Sequence, residues 1–305
     1  MIILNGSKST SLGEKIAINL GMKFENVKTR IFPDGETYVR IETDVKGRDA
    51  VIVQTMFPNQ NDSLMEFLLI AGTLKDMGAL KITGVIPYLA YSRQDRKFQP
   101  GEALSIQTVS ELMKSVGIEK IITVDTHYQH IKPGEFDLFG LPSVNLSAGK
   151  LLLEHISEKV SDDLMTIGPD LGSSRIVKYA TGEEKTMKKV KKCPICGKPA
   201  QECKCQIKKK KYEITEVESE LDFNDKNVVI LDDIIASGKT MIQAVKKVKS
   251  EGAKKVIAAA THGIFMKDSL IQLKELTDYL VVTDSISTPV SNVSVAPLII
   301  EELKK

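Results

Sequence analysis

The chain has four cysteines among its 305 residues, and all of them fall between positions 193 and 205. Thiols crowded into so short an interval do not make a distributed disulfide framework. Long apolar runs are also lacking: none approaches the roughly 20 residues that a membrane-spanning helix needs. The N-terminus, Met1-Ile-Ile-Leu-Asn5, carries neither a charged leader nor a cleavage site. A cytoplasmic protein is expected, with no membrane partner. An excess of charge of either sign is lacking too, the net value being +2. That gives no case for nucleic acid as a partner. What is present is a globular balance of 42% hydrophobic and 27% charged residues, in a chain long enough for two domains. The concentrated positive charge lies between Lys185 and Lys211.

The most informative stretch is Val228-Val-Ile-Leu-Asp-Asp-Ile-Ile-Ala-Ser-Gly-Lys-Thr-Met241. An apolar run ends in two adjacent carboxylates, then a small-residue loop, then a helical pattern. Ala236, Ser237, Gly238 and Thr240 at a helix start make a nest of backbone N–H groups at the positive end of the helix dipole, which suits a phosphate. The Gly-Lys-Thr is not part of a Walker A motif, because the first glycine of that motif would fall on Asp233. Paired acids beside a phosphate cradle call for a ligand with hydroxyls or a metal next to its phosphate, as in a ribose phosphate.

Three segments repeat one pattern of helix, glycine turn and apolar strand, at 76–88, 115–125 and 250–260. This is the αβ connection of a parallel sheet. The stretch from Val51 to Tyr88 also parallels the one from Val228 to Ile264. Two related α/β domains are predicted, 1–145 and 146–305, with an insertion at about 185–211. The first copy has Gln54-Thr-Met-Phe-Pro-Asn-Gln-Asn where the second has the paired acids and phosphate loop, so its phosphate site is expected to be lost.

Four further signals follow in chain order: Phe32-Pro-Asp-Gly-Glu36, Tyr91-Ser-Arg-Gln-Asp-Arg96, Val124-Asp-Thr-His-Tyr-Gln-His130 and Gly168-Pro-Asp-Leu-Gly172. Alone, the first is a tight turn and the second a charged loop at the carboxyl edge of a sheet, where α/β folds bind ligands. With the 228–241 loop, they resemble the ribose-phosphate diphosphokinases (phosphoribosyl pyrophosphate synthetases). That resemblance implies an α/β fold of two similar type I phosphoribosyltransferase-like domains, each a mostly parallel sheet flanked by helices. It places Asp34, Glu36, Arg93, Gln94 and Asp95 on ATP, and His127 and Asp170 on Mg²⁺. Asp232, Asp233, Ala236, Ser237, Gly238, Lys239 and Thr240 would take ribose 5-phosphate. Because the Phe32–Glu36 loop usually serves a neighbouring subunit in that family, a homo-oligomer, dimer or higher, is implied.

Cys193-Pro-Ile-Cys196 and Cys203-Lys-Cys205 give four clustered thiolates, which favour a closed, structural Zn²⁺ site. Free or redox-active thiols are the alternative. In the family this interval holds a mobile catalytic loop with a Lys-x-Arg motif; here it aligns with Lys209 and Lys211, so lysine replaces the arginine and loses its bidentate fork. The implied reaction is transfer of the diphosphoryl group of ATP to the anomeric hydroxyl of ribose 5-phosphate, giving phosphoribosyl pyrophosphate and AMP. The alternatives are a catalytically impaired subunit that assembles with an active synthetase, and a type I phosphoribosyltransferase.

Overall fold

A computed structural model describes residues 1–128, 131–160, 163–192, 195–196, 205, 213–218 and 221–305. The chain divides into two compact units, Met1–Ala148 with Thr283–Lys305, and Gly149–Val282. In the first unit come β1 (Ile2–Asn5), α1 (Thr10–Leu20), β2 (Lys23–Asn26), β3 (Lys28–Ile31) and β4 (Thr37–Arg40). They are followed by β5 (Ala50–Val53), α2 (Gln60–Asp76), β6 (Ile82–Ile86), α3 (Ser105–Ser115), β7 (Lys120–Val124), β8 (Gly134–Asp137) and β9 (Pro142–Leu146). Seven of these strands form one sheet in the order β2-β1-β5-β6-β7-β9-β8, parallel except for β8 against β9. β3 and β4 make a separate antiparallel hairpin. The interior strand β5 reads Ala-Val-Ile-Val, an unbroken apolar run, because helices cover both faces of a parallel sheet.

The second unit contains α4 (Gly149–Lys159), β10 (Met165–Ile167), α5 (Ser174–Thr181), β11 (Lys188–Lys192) and β12 (Glu213–Glu218). It continues with β13 (Asn227–Ile235), α6 (Lys239–Ser250), β14 (Lys255–Gly263), α7 (Ser269–Leu276) and β15 (Tyr279–Thr283). β10, β13, β14 and β15 lie side by side in that order, all parallel. β11 and β12 form an antiparallel ribbon on either side of the cysteine interval. Strand β13 does not stop at the paired acids: it continues to Ile235, since Ile234 and Ile235 still pair with His262 and Gly263 of β14.

Glycine ends the predicted helices as expected. Gly78, Gly117 and Gly252 follow α2, α3 and α6 with φ of 81°, 96° and 85°, a left-handed conformation that releases the chain into the next strand. The last elements, β16 (Ser291–Val293) and α8 (Ala296–Leu303), follow the second unit in sequence. The stretch from 283, placed by sequence order in the second domain, clusters with the first unit. The reason is apolar: Val295, Ala296 and Ile299 share a buried core with Leu12, Ile16 and Ala17 of α1.

A polar clasp adds to that attachment. Glu302 of α8 is 6% exposed, and its carboxylate accepts from Lys120 and Lys305, each at 2.8 Å. Burial alone would raise its pKa, but the two lysines outweigh burial and hold it below the ordinary 4.5. A depressed folded-state pKa contributes stability above the unfolded value, and that contribution fades as pH falls through the folded one. Glu302→Gln should therefore cost roughly 1 kcal/mol at neutral pH, given that both lysines are substantially exposed. In urea titrations repeated down to about pH 3.5, the gap from the parent should shrink below the ordinary carboxylate pKa. A gap that stayed constant with pH would contradict this account.

Candidate active site

In the second unit, Val228–Leu231 lie wholly buried between β10 and β14, so the strand carries its carboxylates out at the carboxyl edge of the sheet. Asp232 accepts the Asp233 N–H through Oδ1 at 2.9 Å, and Asp233 is 8% exposed. Burial, then the Asp233 carboxylate, then that of Asp170, push the Asp232 pKa well above the usual carboxylate range. Asp233 and Asp170 thus both act on Asp232, an oxygen-rich strand edge suited to the hydroxyls of a sugar.

The loop after β13 turns through Gly238, whose φ is 73°, directly into the first residue of α6. Among the described residues no side chain caps this helix start, and its first turn holds no acid. The leading N–H groups and the positive end of the dipole are thus disposed toward an anion. Ser237 and Lys239 are exposed and Thr240 is half-buried. The loop is braced from one side: Ile264 and Phe265 N–H donate to the Ile235 carbonyl at 3.0 and 3.1 Å, and Met266 N–H to that of Ala236 at 2.9 Å.

Asp170 lies just past β10 and does a local job that sequence reading had not assigned. Its Oδ1 accepts from the Gly172 N–H at 2.6 Å, and with Ser173 it forms a capping box that starts a 3₁₀ turn, Leu171–Ser173, leading into α5.

The first unit gathers its candidates at the ends of β6 and β7. The Val124 N–H donates to Pro87 O at 3.2 Å, joining the two strand ends. From β6 the chain reaches Arg93, exposed, and Gln94 and Asp95, both half-buried. Gln94 donates through Nε2 to Arg96 O at 3.2 Å, and Tyr91 hydrogen-bonds Asn61 at the start of α2. From β7 come Asp125, 6% exposed, and half-buried His127 and Tyr128. Asp125 has a φ of 37° and accepts the Ala148 N–H through Oδ2 at 2.9 Å. It thereby fixes the turn that presents His127. Burial and then the nearby Asp95 carboxylate raise the Tyr128 pKa, so the two strand-end loops sense each other electrostatically.

Asp34 and Glu36 sit at the exposed tip of the β3–β4 hairpin. Asp34 accepts the Glu36 N–H at 3.3 Å, and Gly35 turns the chain with φ 97°. Just below the tip, the Arg30 guanidinium lies 4.9 Å from the Phe32 ring and 4.5 Å from the Tyr38 ring. These contacts stiffen the arm. Neither Tyr128 nor Arg30 was singled out in sequence; an aromatic directly after the strand-end Asp-x-His was the available signal for the first.

Lys209, Lys211, Cys193, Cys203 and His130 lie outside the described residues. Cys196 is exposed and Cys205 half-buried. Among the described residues no group of three or more His, Cys, Asp or Glu side chains is arranged to hold a metal ion. No helix is long and apolar enough to cross a membrane, again among the described residues.

A parallel α/β unit with an acidic pair ahead of an uncapped helix start is what the resemblance to phosphoribosyltransferases implies. A family model for the phosphoribosyl transferase domain matches residues 152–298, and one for the N-terminal domain of ribose phosphate pyrophosphokinase matches residues 1–117. A ribose-phosphate pyrophosphokinase of Methanopyrus kandleri is 32% identical, covering 100% of this chain and 99% of its own. Ribose-phosphate pyrophosphokinase 1 of Archaeoglobus fulgidus is 35% identical over 99% and 100%. The crystal structure of phosphoribosylpyrophosphate synthetase from Mycobacterium smegmatis superposes with a TM-score of 0.81 at 27% identity, covering 99% of this chain and 97% of that one. The chain belongs to the ribose-phosphate pyrophosphokinase family.

Proposed function

We propose that the protein is a ribose-phosphate diphosphokinase. The observation that carries this is the acidic pair ahead of the anion loop in the second unit, in a chain whose relatives bear that activity's name over their full length. Asp232 and Asp233 hold the ribose hydroxyls, while Ala236, Ser237, Gly238, Lys239 and Thr240 hold the 5-phosphate by N–H groups, hydroxyls and one ammonium. Asp34, Glu36, Arg93, Gln94 and Asp95 bind ATP, Arg93 offering its guanidinium to polyphosphate oxygens.

The anomeric oxygen attacks the β-phosphorus in line. The bond from that phosphorus to the oxygen bridging it to the α-phosphorus breaks, AMP departs, and the hydroxyl proton is released. Lys209 and Lys211 offset charge on the transferring group. Asp170 of the second unit and His127 of the first are the residues this reading gives to Mg²⁺, and the ion would neutralise polyphosphate charge. Positioning and charge neutralisation carry chemistry of this kind.

A homo-oligomer in the cytoplasm is the working state, with functional halves at 1–145 and 146–305. Cys193, Cys196, Cys203 and Cys205 hold a structural Zn²⁺ in this reading. Purified protein given ATP, Mg²⁺ and ribose 5-phosphate should form AMP only when the sugar is present. Silence there, with pyrophosphate released from phosphoribosyl pyrophosphate plus a base, would replace this reading with a transferase. Silence in both assays would leave a partner subunit.

A further inference from the structure

Ser269 opens α7 and is 3% exposed, yet its hydroxyl has no hydrogen-bond partner among the described residues. Buried hydroxyls are seldom left this way, because desolvation is not offset without a bond. Its position is not incidental. A Cβ placed on Gly238 would lie 2.7 Å from the Ser269 Cβ and 3.6 Å from its Oγ, so the side chain packs directly against the turn of the anion loop. The segment leading to it, Ile264 to Met266, is the one whose N–H groups clamp the Ile235 and Ala236 carbonyls, and Ser269 N–H closes back on Met266 O at 3.4 Å. Packing against Gly238 needs only the Cβ, and alanine would supply that. The hydroxyl is surplus to the ligand-free fold.

We propose that Ser269 is a positioning residue for the sugar-phosphate loop: its hydroxyl is held unpaired until a phosphate monoester draws the loop's N–H groups onto itself, and it then bonds the adjusted loop backbone. This rests on the reading of residues 236–240 as the ribose 5-phosphate site. Ligand-free protein carries the cost of a buried, unpaired group; ligand-bound protein recovers it, and the difference appears as affinity for the sugar phosphate.

The test pairs steady-state kinetics with thermal unfolding of the full chain for wild type, Ser269→Ala and Ser269→Cys. The thiol is a weaker donor of similar size. For Ser269→Ala the expected KM for ribose 5-phosphate rises about 5- to 10-fold, the worth of one neutral hydrogen bond, with kcat and the KM for ATP within about 2-fold. Ser269→Cys should fall between. The ligand-free Tm of Ser269→Ala should stay level or rise by a few degrees, while the Tm gain from saturating ribose 5-phosphate shrinks. An unchanged sugar KM in Ser269→Ala overturns the proposal. So does a raised KM accompanied by a lowered ligand-free Tm, which marks a structural role. Wild type showing no Tm gain with ribose 5-phosphate would overturn the reading of the loop itself, a distinct failure. Should the alanine variant fold poorly, the same readouts on Ser269→Cys decide.

Discussion

Asp232→Asn should raise the ligand-free Tm while lowering kcat/KM for ribose 5-phosphate by about 10³. The two effects have opposite signs because one carboxylate answers to two environments. In the ligand-free protein Asp232 is half-buried beside Asp233 and Asp170, and desolvation and then like charges resist its ionisation. Asparagine has the same shape and no charge, so it relieves that repulsion and keeps an oxygen for the Asp233 N–H, now bonded at 2.9 Å. In the proposed function the carboxylate accepts from ribose hydroxyls or faces the cation once the sugar is bound. A charge-assisted bond is worth about 1.5–3 kcal/mol, and losing one such contact together with attraction to the cation accounts for roughly 4 kcal/mol of transition-state stabilisation. Differential scanning calorimetry and steady-state kinetics on the same preparation measure both. Unaltered kinetics with the sugar varied would remove the acidic pair from the chemistry, and a lowered Tm would remove the repulsion argument.

The sequence was legible where its signals are local. A glycine following an amphipathic helix sets the left-handed exit at Gly78, Gly117 and Gly252 because no distant residue is needed to require it. The strand end, loop and helix start of 228–241 were legible for the same reason: Asp232, Asp233 and the helix start at Lys239 are neighbours in the chain. Contacts made over long separations left no local mark. Lys120 meets Glu302 across 182 residues. Asp125 reaches Ala148 across 23, although its polar strand-end position was plain. The end of the chain looked like a continuation of the second domain, yet the apolar side of α8 found its partner in α1. Ser269 is the functional counterpart of these cases. Nothing around it resembles a binding motif, and its place under Gly238 follows only after β14 has carried the chain back alongside β13.

Gly238→Ala tests whether the shape of the loop, rather than the mere presence of N–H groups, holds the phosphate. The residue has φ 73°, where an L side chain costs roughly 1–2 kcal/mol, and its new Cβ would sit 2.7 Å from the Ser269 Cβ. Backbone packed on both sides cannot absorb such an overlap without the turn moving, and α6 begins at the next residue. The N–H groups would then point away from a common centre. A misalignment of this size should raise the KM for ribose 5-phosphate about 100-fold, leave the KM for ATP within about 2-fold, and lower the Tm by a few degrees. Two costs are combined there, and a second substitution separates them. Ser269→Gly removes the opposing Cβ but not the unfavourable φ, so Gly238→Ala on that background should lose clearly less sugar affinity than it does on the wild-type background. Equal losses on both backgrounds would assign the whole effect to backbone conformation and deny the contact with Ser269 any part in shaping the loop.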